Sequence, residues 1–526
     1  MWSILGLTVL GLGIFGLYAL KRYLDVPSST FSHLFLPPGP KPLPIVGNLR
    51  DLPPADEPAW LHWAKHKDLY GPISTISVLG QRLIILNDAQ LAIDLLHKKA
   101  GVHSDRPDAP MAVLSGWSNG SAVIRYGPRV TAGRKNMHRE IGTSARVARF
   151  QETQDIEVRR FLLRVLNSPN NLAKHARKLA GAVILKITYG YSIDQGGDDP
   201  LVDIADTALE NFSISARPGT WGVDFLPALR YIPSWFPGAT FQRTAALFRK
   251  QTEALADVPW AFVKRQMQQS PKFFEPSYVS NLLDANPDIR PRSPEETAIR
   301  WTAASLYGGG ADTTVSTITT FYLAMTLYPR IQKRAQAEID AVIGRGRLPT
   351  VHDREKLPFT NALVKEALRW HPVLPMGLPH RSMAEDVCSG YRIPKDSVIL
   401  PNIWAFTHDP TTFKDPSKFN PSRFLGESPE RDPHTLVFGF GRRICPGRVL
   451  ADRTIFLAIA QSLADEQQFS RAQFSPGVIS HARPFDVEIE IRDKQYEGLV
   501  GAGEGVEWER EHADVLRGLA ASINQG

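Results

Sequence analysis

The chain has 526 residues, 43 % hydrophobic and 22 % charged, enough apolar material for one large domain or several smaller ones. Its 61 basic and 54 acidic residues leave a net charge of +7, a modest excess for this size. With no basic run interleaved with aromatics, that excess does not describe a nucleic-acid binder; it fits attraction to an anionic membrane face or to an acidic partner. The two cysteines, Cys388 and Cys445, exclude a disulfide framework and any C-x-x-C site, and favour a reducing compartment.

Residues 1–20 carry no charge and are rich in Leu, Ile, Gly and Phe; Lys21 and Arg22 follow. Twenty helical residues span about 30 Å, the hydrocarbon thickness of a bilayer. Positive charge after the span and none before it places the bulk of the chain in the cytosol. The expectation is a single transmembrane anchor. A cleaved secretory signal is the rival, and it lacks a basic leading region and a clear small-x-small cleavage site. Residues 21–44 read as a linker that ends in a hinge, Leu36-Pro-Pro-Gly-Pro-Lys-Pro-Leu-Pro, whose prolines stiffen the chain and stop the anchor helix.

Ile73 to Leu86 alternates and turns at Leu79-Gly80-Gln81, which reads as a hairpin. Most of residues 140–370 is helical in pattern. Phe225 to Gly238 is apolar, aromatic and broken by prolines; it is either a buried loop or a surface that meets a membrane through Trp235 and Phe236. Ser293-Pro-Glu-Glu-Thr opens a helix, and Gly308-Gly309-Gly310 is expected to interrupt it just before Ala311-Asp312-Thr313-Thr314. Three glycines inside a helix cost about 2–3 kcal/mol relative to alanines. They are expected to mark a kink that lets backbone approach a flat ligand or makes room for a small molecule.

Pro358 suits a helix start and Pro372 soon stops it, with Phe359, Leu363 and Ala367 on one face. Glu366 and Arg369 share a face too, a pairing common on any helix. Short strands are expected near Val398-Ile399-Leu400 and from Phe485 to Ile491. Cys388 falls in a strand and turn and reads as structural. Residues 501–526 form an appended tail of no evident role.

The most informative stretch is Phe438 to Gly447, FGFGRRICPG. A thiolate in apolar surroundings is protonated unless its charge is stabilised locally. Gly439, Gly441 and Gly447 permit a tight fold that aims amide N–H groups at the Cys445 sulfur. Pro446 suits the first position of a helix, and the apolar spacing from Arg448 onward puts the sulfur at a positive helix end. Arg443 is placed to pair with an anion beside it. A glycine-rich turn around a structural cysteine is the plain alternative.

The string F-x-x-G-x-R-x-C-x-G, met at Phe438, Gly441, Arg443, Cys445 and Gly447, resembles the haem-binding loop of the cytochrome P-450 superfamily, the haem-thiolate monooxygenases. Gly309 to Thr314 is similar to that family's [AG]-G-x-[DE]-T-T, and Glu366-x-x-Arg369 followed by Phe419-Asn-Pro-Ser-Arg423-Phe424 keeps its order. The resemblance covers residues 37–495. It implies a mainly α fold with small β-sheets, a single large haem domain at 45–500.

Several roles follow from the resemblance. Heme b (iron protoporphyrin IX) would be held by Cys445 as axial ligand, within a loop that includes Phe438 and Gly439. Arg443, His380, Arg381 and Arg134 would bind its propionates. Asp312 and Thr313 would be the acid–alcohol pair that delivers protons to dioxygen, and Glu366, Arg369 and Arg423 a buried structural network. One departure stands out: the family's W-x-x-x-R is here Val130-Thr-Ala-Gly-Arg134, so one propionate hydrogen bond falls to water or to His138.

The implied activity is oxygenation of a lipophilic small molecule. Electrons would come from NADPH through a separate flavoprotein reductase, because the chain carries no flavin or nicotinamide motif. Arg442, Arg448, Lys135 and Arg139 are candidates for the docking face. The hinge and the Tyr231-to-Gly238 segment look similar to fungal microsomal members, which implies an endoplasmic reticulum membrane protein of secondary metabolism with terpenoid or polyketide-like substrates. Pocket contacts are expected from Pro107–Ala122, Phe212–Phe225, Ala303–Gly310, Val373–Leu378 and Gly477–His481. A reductase-independent haem-thiolate isomerase or dehydratase, and a membrane haem sensor or electron carrier, are the alternatives.

Overall fold

The computed structural model describes residues 33–501 with 13, 16 and 31, apart from 55, 195–196, 218–219, 270–274, 464, 469–473, 486–487 and 493. The span expected at 1–20, apart from Gly13 and Gly16, the linker up to residue 30 and the tail beyond Gly501 therefore lie outside the described residues. Among the described residues no helix is long and apolar enough to cross a membrane.

Helices dominate, as expected. The site is lined by α1 (Pro128–Ile141), α3 (Leu172–Tyr189), α4 (Pro200–Ser215), α6 (Pro294–Leu327), α7 (Pro358–Trp370) and α8 (Arg448–Ser462), and α2 (Gln151–Asn167) and α5 (Thr240–Gln269) pack against these from outside. The central one is α6. Ser293 Oγ accepts the Glu296 amide N–H at 3.1 Å and Pro294 takes the first helical position, the start read from sequence. Every residue from Thr314 to Thr326 is buried, so this half is enclosed on all sides by the core.

The expected interruption at Gly308–Gly310 is corrected: α6 runs unbroken from Pro294 to Leu327. The glycines serve packing. A Cβ on Gly310 would lie 2.7 Å from Ile184 Cγ1 of α3, and one on Gly308 would lie 3.3 Å from Leu209 Cδ2 of α4. A Cβ on Gly309 would meet nothing within 4 Å. Close helix contact thus offsets the propensity cost, and one glycine leaves an open, flat patch.

Four short strands form the main sheet in the order β1 (Ile73–Val78), β2 (Gln81–Leu86), β4 (Val398–Pro401), β3 (His380–Arg381). The hairpin is present, with Ile73 opposite Leu86. Leu79 and Gly80, at φ 49° and 79°, make the two-residue turn whose twist suits antiparallel strands. Strand β4 joins β2 in parallel and β3 antiparallel, which carries His380 to the edge of the cavity described below. The proline hinge is docked on this sheet: the Thr75 N–H donates to Pro38 O at 2.9 Å, and only glycine fits at position 39, where a Cβ would lie 1.9 Å from Thr75 O.

Helix α7 starts at Pro358, as read from sequence, and the Glu338 carboxylate caps it by accepting the Phe359 and Thr360 N–H groups at 2.7 and 2.8 Å. The structure brings Glu366, Arg369 and Arg423 together in the interior. Arg369 donates twice to the Glu366 carboxylate, at 2.7 and 2.8 Å, and Arg423 Nε once, at 3.2 Å. The Asn420 N–H adds a fourth bond at 2.7 Å. Buried charge is tolerated here because it is paired and fully hydrogen-bonded.

The segment from Phe225 to Gly238 is not a buried loop. Tyr231 is 75 % and Trp235 78 % exposed. Cys388 is buried at the end of the strand Asp386–Cys388, and burial pushes its thiol up to about 11, in keeping with an inert structural residue.

Candidate functional site

The cysteine loop is held by glycine conformations and by one backbone bond. Gly439 and Gly441 lie at φ 76° and 54°, where L side chains are strained. A Cβ on Gly441 would also lie 2.1 Å from Leu96 O, so the loop sits directly on the helical turn Ile93–Lys98. The Cys445 N–H donates to Phe438 O at 2.8 Å and closes the loop.

The sulfur accepts N–H groups from Gly447 and Arg448 at the start of α8. Pro446 does not occupy the first helical position as expected. Gly447 is the N-cap and Arg448 the first residue, because the tight turn at the sulfur uses both amides that follow the proline. Burial pushes the Cys445 thiol up, against the pull of the Gly447 N–H and the charges of Arg134 and Arg448. Such a thiol is released as thiolate when a metal takes the proton's place.

Above the sulfur lies a cavity of about 370 Å³, within the range of small-ligand pockets. Phe438, Gly439 and Cys445 line one side, and Gly309, Gly310, Thr313 and Thr314 of α6 line another. Thr313 Oγ1 donates to Gly309 O at 2.7 Å, a back-bond that parks the hydroxyl at the cavity wall. Asp312 does not line the cavity; its Oδ2 lies 3.1 Å from His481 Nε2.

Cations gather at the cavity edge without an ion-pair partner among the described residues, the nearest opposing charge being Asp105 outside the lining. Arg106, Arg134, Arg443 and His380 all line it, and no Asp or Glu does. Arg443 is tied to the carbonyls of Ser104 and Ile124, both at 2.8 Å, and Arg134 Nη2 to Ile444 O at 2.6 Å. Arg106 donates to Pro379 O at 2.6 Å, and its buried Nε has no partner. Burial and the neighbouring Arg443 and Arg134 hold Arg106 down to about 9. Burial likewise keeps His380 neutral, with Nδ1 2.7 Å from His103 O. Three crowded guanidinium groups, none of them in an ion pair among the described residues, are a site built for an anion.

Arg381 is not brought to this cluster. Its guanidinium pairs with Asp396 at 2.5 Å and approaches Asp105 at 3.8 Å, because strand alternation turns it away from His380. Val130 lines the cavity, while His138, weighed as a substitute for the missing indole, is exposed and does not. The sequence reading missed Arg106, which stands one residue before the stretch expected to supply pocket contacts. It also missed Ala180, Val183 and Ile184 of α3, which carry no signal beyond helical periodicity. Each of the five expected pocket segments supplies lining residues, among them Trp117, Phe212, Ser305, Leu374 and Ile479.

Lys135 and Arg139 of α1, Arg442 of the cysteine loop and Arg448 at the start of α8 are all exposed, Arg139 pairing with Glu140 at 3.1 Å. Beneath that loop His434 is clamped between carboxylates, with Nδ1 2.7 Å from Asp432 and Nε2 2.8 Å from Asp452, and its ring stacks on Phe438.

Comparison with known proteins identifies the family. The sequence model of the family described as Cytochrome P450 matches residues 37–470. Cytochrome P450 monooxygenase ppsD of Aspergillus oryzae is 45 % identical over 500 residues, covering 92 % of this chain and 94 % of its own. Cytochrome P450 monooxygenase claR of Ampulloclitocybe clavipes is 46 % identical over 95 % of this chain and 93 % of its own. O-methylsterigmatocystin oxidoreductase of Aspergillus flavus is 42 % identical, covering 93 % of each chain.

Proposed function

The chain belongs to the cytochrome P-450 family of haem-dependent monooxygenases, and from that premise we propose that it oxygenates an uncharged, lipophilic product of fungal secondary metabolism at a haem held by Cys445. The carrying observation is the cavity itself: one cysteine at its floor, an open glycine patch opposite, and unpaired guanidinium groups at its edge. These residues fit a flat dianionic macrocycle. Cys445 would hold the iron as thiolate, with Phe438 and Gly439 beside it. Arg106, Arg134, Arg443 and His380 would hold the propionates, Arg106 with the unpartnered Nε of its guanidinium group. When bound, the haem activates dioxygen and supplies the oxidant that inserts one oxygen atom into a C–H or C=C bond, the other leaving as water.

The protein's own contribution is binding, orientation and proton supply. Trp117, Leu209, Phe212, Val373, Val478 and Ile479 give the rest of the cavity an apolar wall. With no carboxylate in that wall, a cationic substrate finds no partner. Thr313 holds a hydroxyl at the cavity and Asp312, next along α6, links it to solvent; these are the proton donors of the reaction. Glu366, Arg369 and Arg423 hold the cysteine side of the core in shape.

Two electrons per cycle would come from NADPH through a flavoprotein reductase. Its acidic face would dock on Lys135, Arg139, Arg442 and Arg448, exposed cations of α1, the cysteine loop and the start of α8. Residues 1–20 would anchor the protein in the endoplasmic reticulum membrane with the catalytic domain cytosolic. Exposed Tyr231 and Trp235 suit contact with that membrane. A substrate of the size named for the O-methylsterigmatocystin oxidoreductase is the class to screen first.

The test is expression of the full chain with an NADPH-dependent reductase, followed by a screen of lipophilic metabolites under ¹⁸O₂. The expected result is NADPH-dependent incorporation of one labelled oxygen, and a reduced carbonyl adduct with the red-shifted band of a thiolate ligand. A folded, haem-loaded protein without that band overturns the assignment of Cys445. Product formation without NADPH overturns the monooxygenase reading in favour of an isomerase or dehydratase.

A further inference from the structure

His481 is fixed against Asp312 by backbone, not by a side chain reaching across solvent. Ser480 O accepts the Ser316 hydroxyl of α6 at 2.6 Å, the Ser480 N–H donates to Val373 O at 2.9 Å, and Ser480 Oγ lies 2.8 Å from His371 Nε2. Ser475 closes the turn. Its Oγ accepts the His481 N–H at 3.0 Å, and its own N–H donates to His481 O at 2.8 Å. Phe474 stacks on the His371 ring with centroids 3.5 Å apart. Within the same turn Val478 and Ile479 line the cavity.

The imidazole so placed keeps Nε2 3.1 Å from Asp312 Oδ2, with the two side chains 22 % and 15 % exposed. Asp312 is thus reached from solvent on one side, and is bonded in sequence to the residue whose hydroxyl faces the cavity on the other. Around the pair stand Asp206 and Asp203 of α4, Arg177 of α3 and the buried His371. Arg177 lies 3.8 Å from Asp206. Burial, with Asp312 close by, holds the Asp206 carboxyl up to about 6.

The geometry points to His481 as a positioning residue for Asp312: its Nε2 holds the carboxyl at the solvent end of the proton route to Thr313, and the turn that carries it also touches whatever fills the cavity. This rests on the roles proposed above for Asp312 and Thr313. A proton that leaves Asp312 toward Thr313 is replaced from water at the solvent side of the carboxyl, so Asp312 ends each cycle as it began while the His481 N–H keeps the carboxyl in place.

The test uses haem-loaded, full-length protein with saturating reductase and compares His481→Ala, His481→Gln, Asp312→Asn and the H481A/D312N double variant. NADPH consumption is followed in H₂O and D₂O, and cleavage of cumene hydroperoxide, which brings its O–O bond without proton delivery to dioxygen, is measured separately. His481→Ala is expected to slow NADPH consumption about tenfold and to raise the solvent isotope effect about twofold, with the reduced carbonyl band and hydroperoxide cleavage unchanged. His481→Gln, which keeps an N–H donor at similar reach, recovers most of the loss, and the double variant is no slower than Asp312→Asn alone. If Asp312→Asn is slow while His481→Ala matches the wild type, the positioning role is overturned and the role of Asp312 stands. If Asp312→Asn itself matches the wild type, the underlying reading falls and this one with it. Loss of hydroperoxide cleavage together with NADPH consumption in His481→Ala marks a purely structural histidine and also overturns the proposal.

Discussion

Arg134 Nη2 lies 2.6 Å from the backbone carbonyl of Ile444 and donates to it, which ties α1 to the residue just before the cysteine. The same guanidinium places positive charge near the sulfur. Replacing Arg134 with Leu removes a charge-assisted bond and leaves that carbonyl without its partner, at a cost of about 1–3 kcal/mol. Haem content per protein and the thermal midpoint are both expected to fall, with Arg134→Lys intermediate because it keeps the charge and loses the planar fork. Full haem occupancy in Arg134→Leu would remove this residue from the proposed propionate set.

Glu366 is the only carboxylate bonded to both Arg369 and Arg423 in the described interior. Glu366→Gln strands at least one buried guanidinium and is expected to destabilise the fold by about 3–5 kcal/mol. Soluble yield and a urea midpoint read this directly; a midpoint close to the wild type would show that water enters and pairs with the arginines.

Two adjacent glycines of α6 are expected to behave oppositely. Gly310→Ala drives a methyl into Ile184 of α3, 2.7 Å away, and should cost about 1–3 kcal/mol. Gly309→Ala meets nothing within 4 Å and gains helix propensity of about 1 kcal/mol, yet it puts a methyl into the cavity. Thermal melts should separate the two, and spectral titration with a lipophilic ligand should show weaker binding in the more stable variant.

His434 supplies a pH dependence. Burial alone would hold its ring down, but hydrogen bonds to Asp432 and Asp452 outweigh that and raise it to about 9 from 6.5. Because the folded value is the higher one, the stabilisation is complete below pH 6.5 and is lost as pH rises from there through 9. Asp452, held down to about 2 against its own burial by His434 and Arg354, adds stability that is lost only in strong acid. The wild type should therefore lose about 1–3 kcal/mol more than His434→Gln between pH 6.5 and 9.5. The ring stacks on Phe438, so haem retention is expected to fall over the same interval; parallel melting curves for the two proteins would refute the clamp.

Local chemistry was legible in the chain because it depends on near neighbours. The glycines and thiol of FGFGRRICPG, the Ser293-Pro294 and Pro358 helix starts, the hairpin at Leu79-Gly80 and the Glu366–Arg369 spacing each carry their own geometry within a few residues. Which distant groups meet was decided only by tertiary packing. Gly308–Gly310 stay helical because Ile184 and Leu209 press on α6, and contacts of that kind outweigh propensities of about 1 kcal/mol per glycine. Arg381 is drawn off by Asp396 while Arg106, from a remote segment, takes a place at the cavity, and Asp312 finds His481. A side chain's local spacing says what it can do; the crossing of α1, α3, α6 and the cysteine loop determines what stands opposite it, and that is a property of the packed backbone alone.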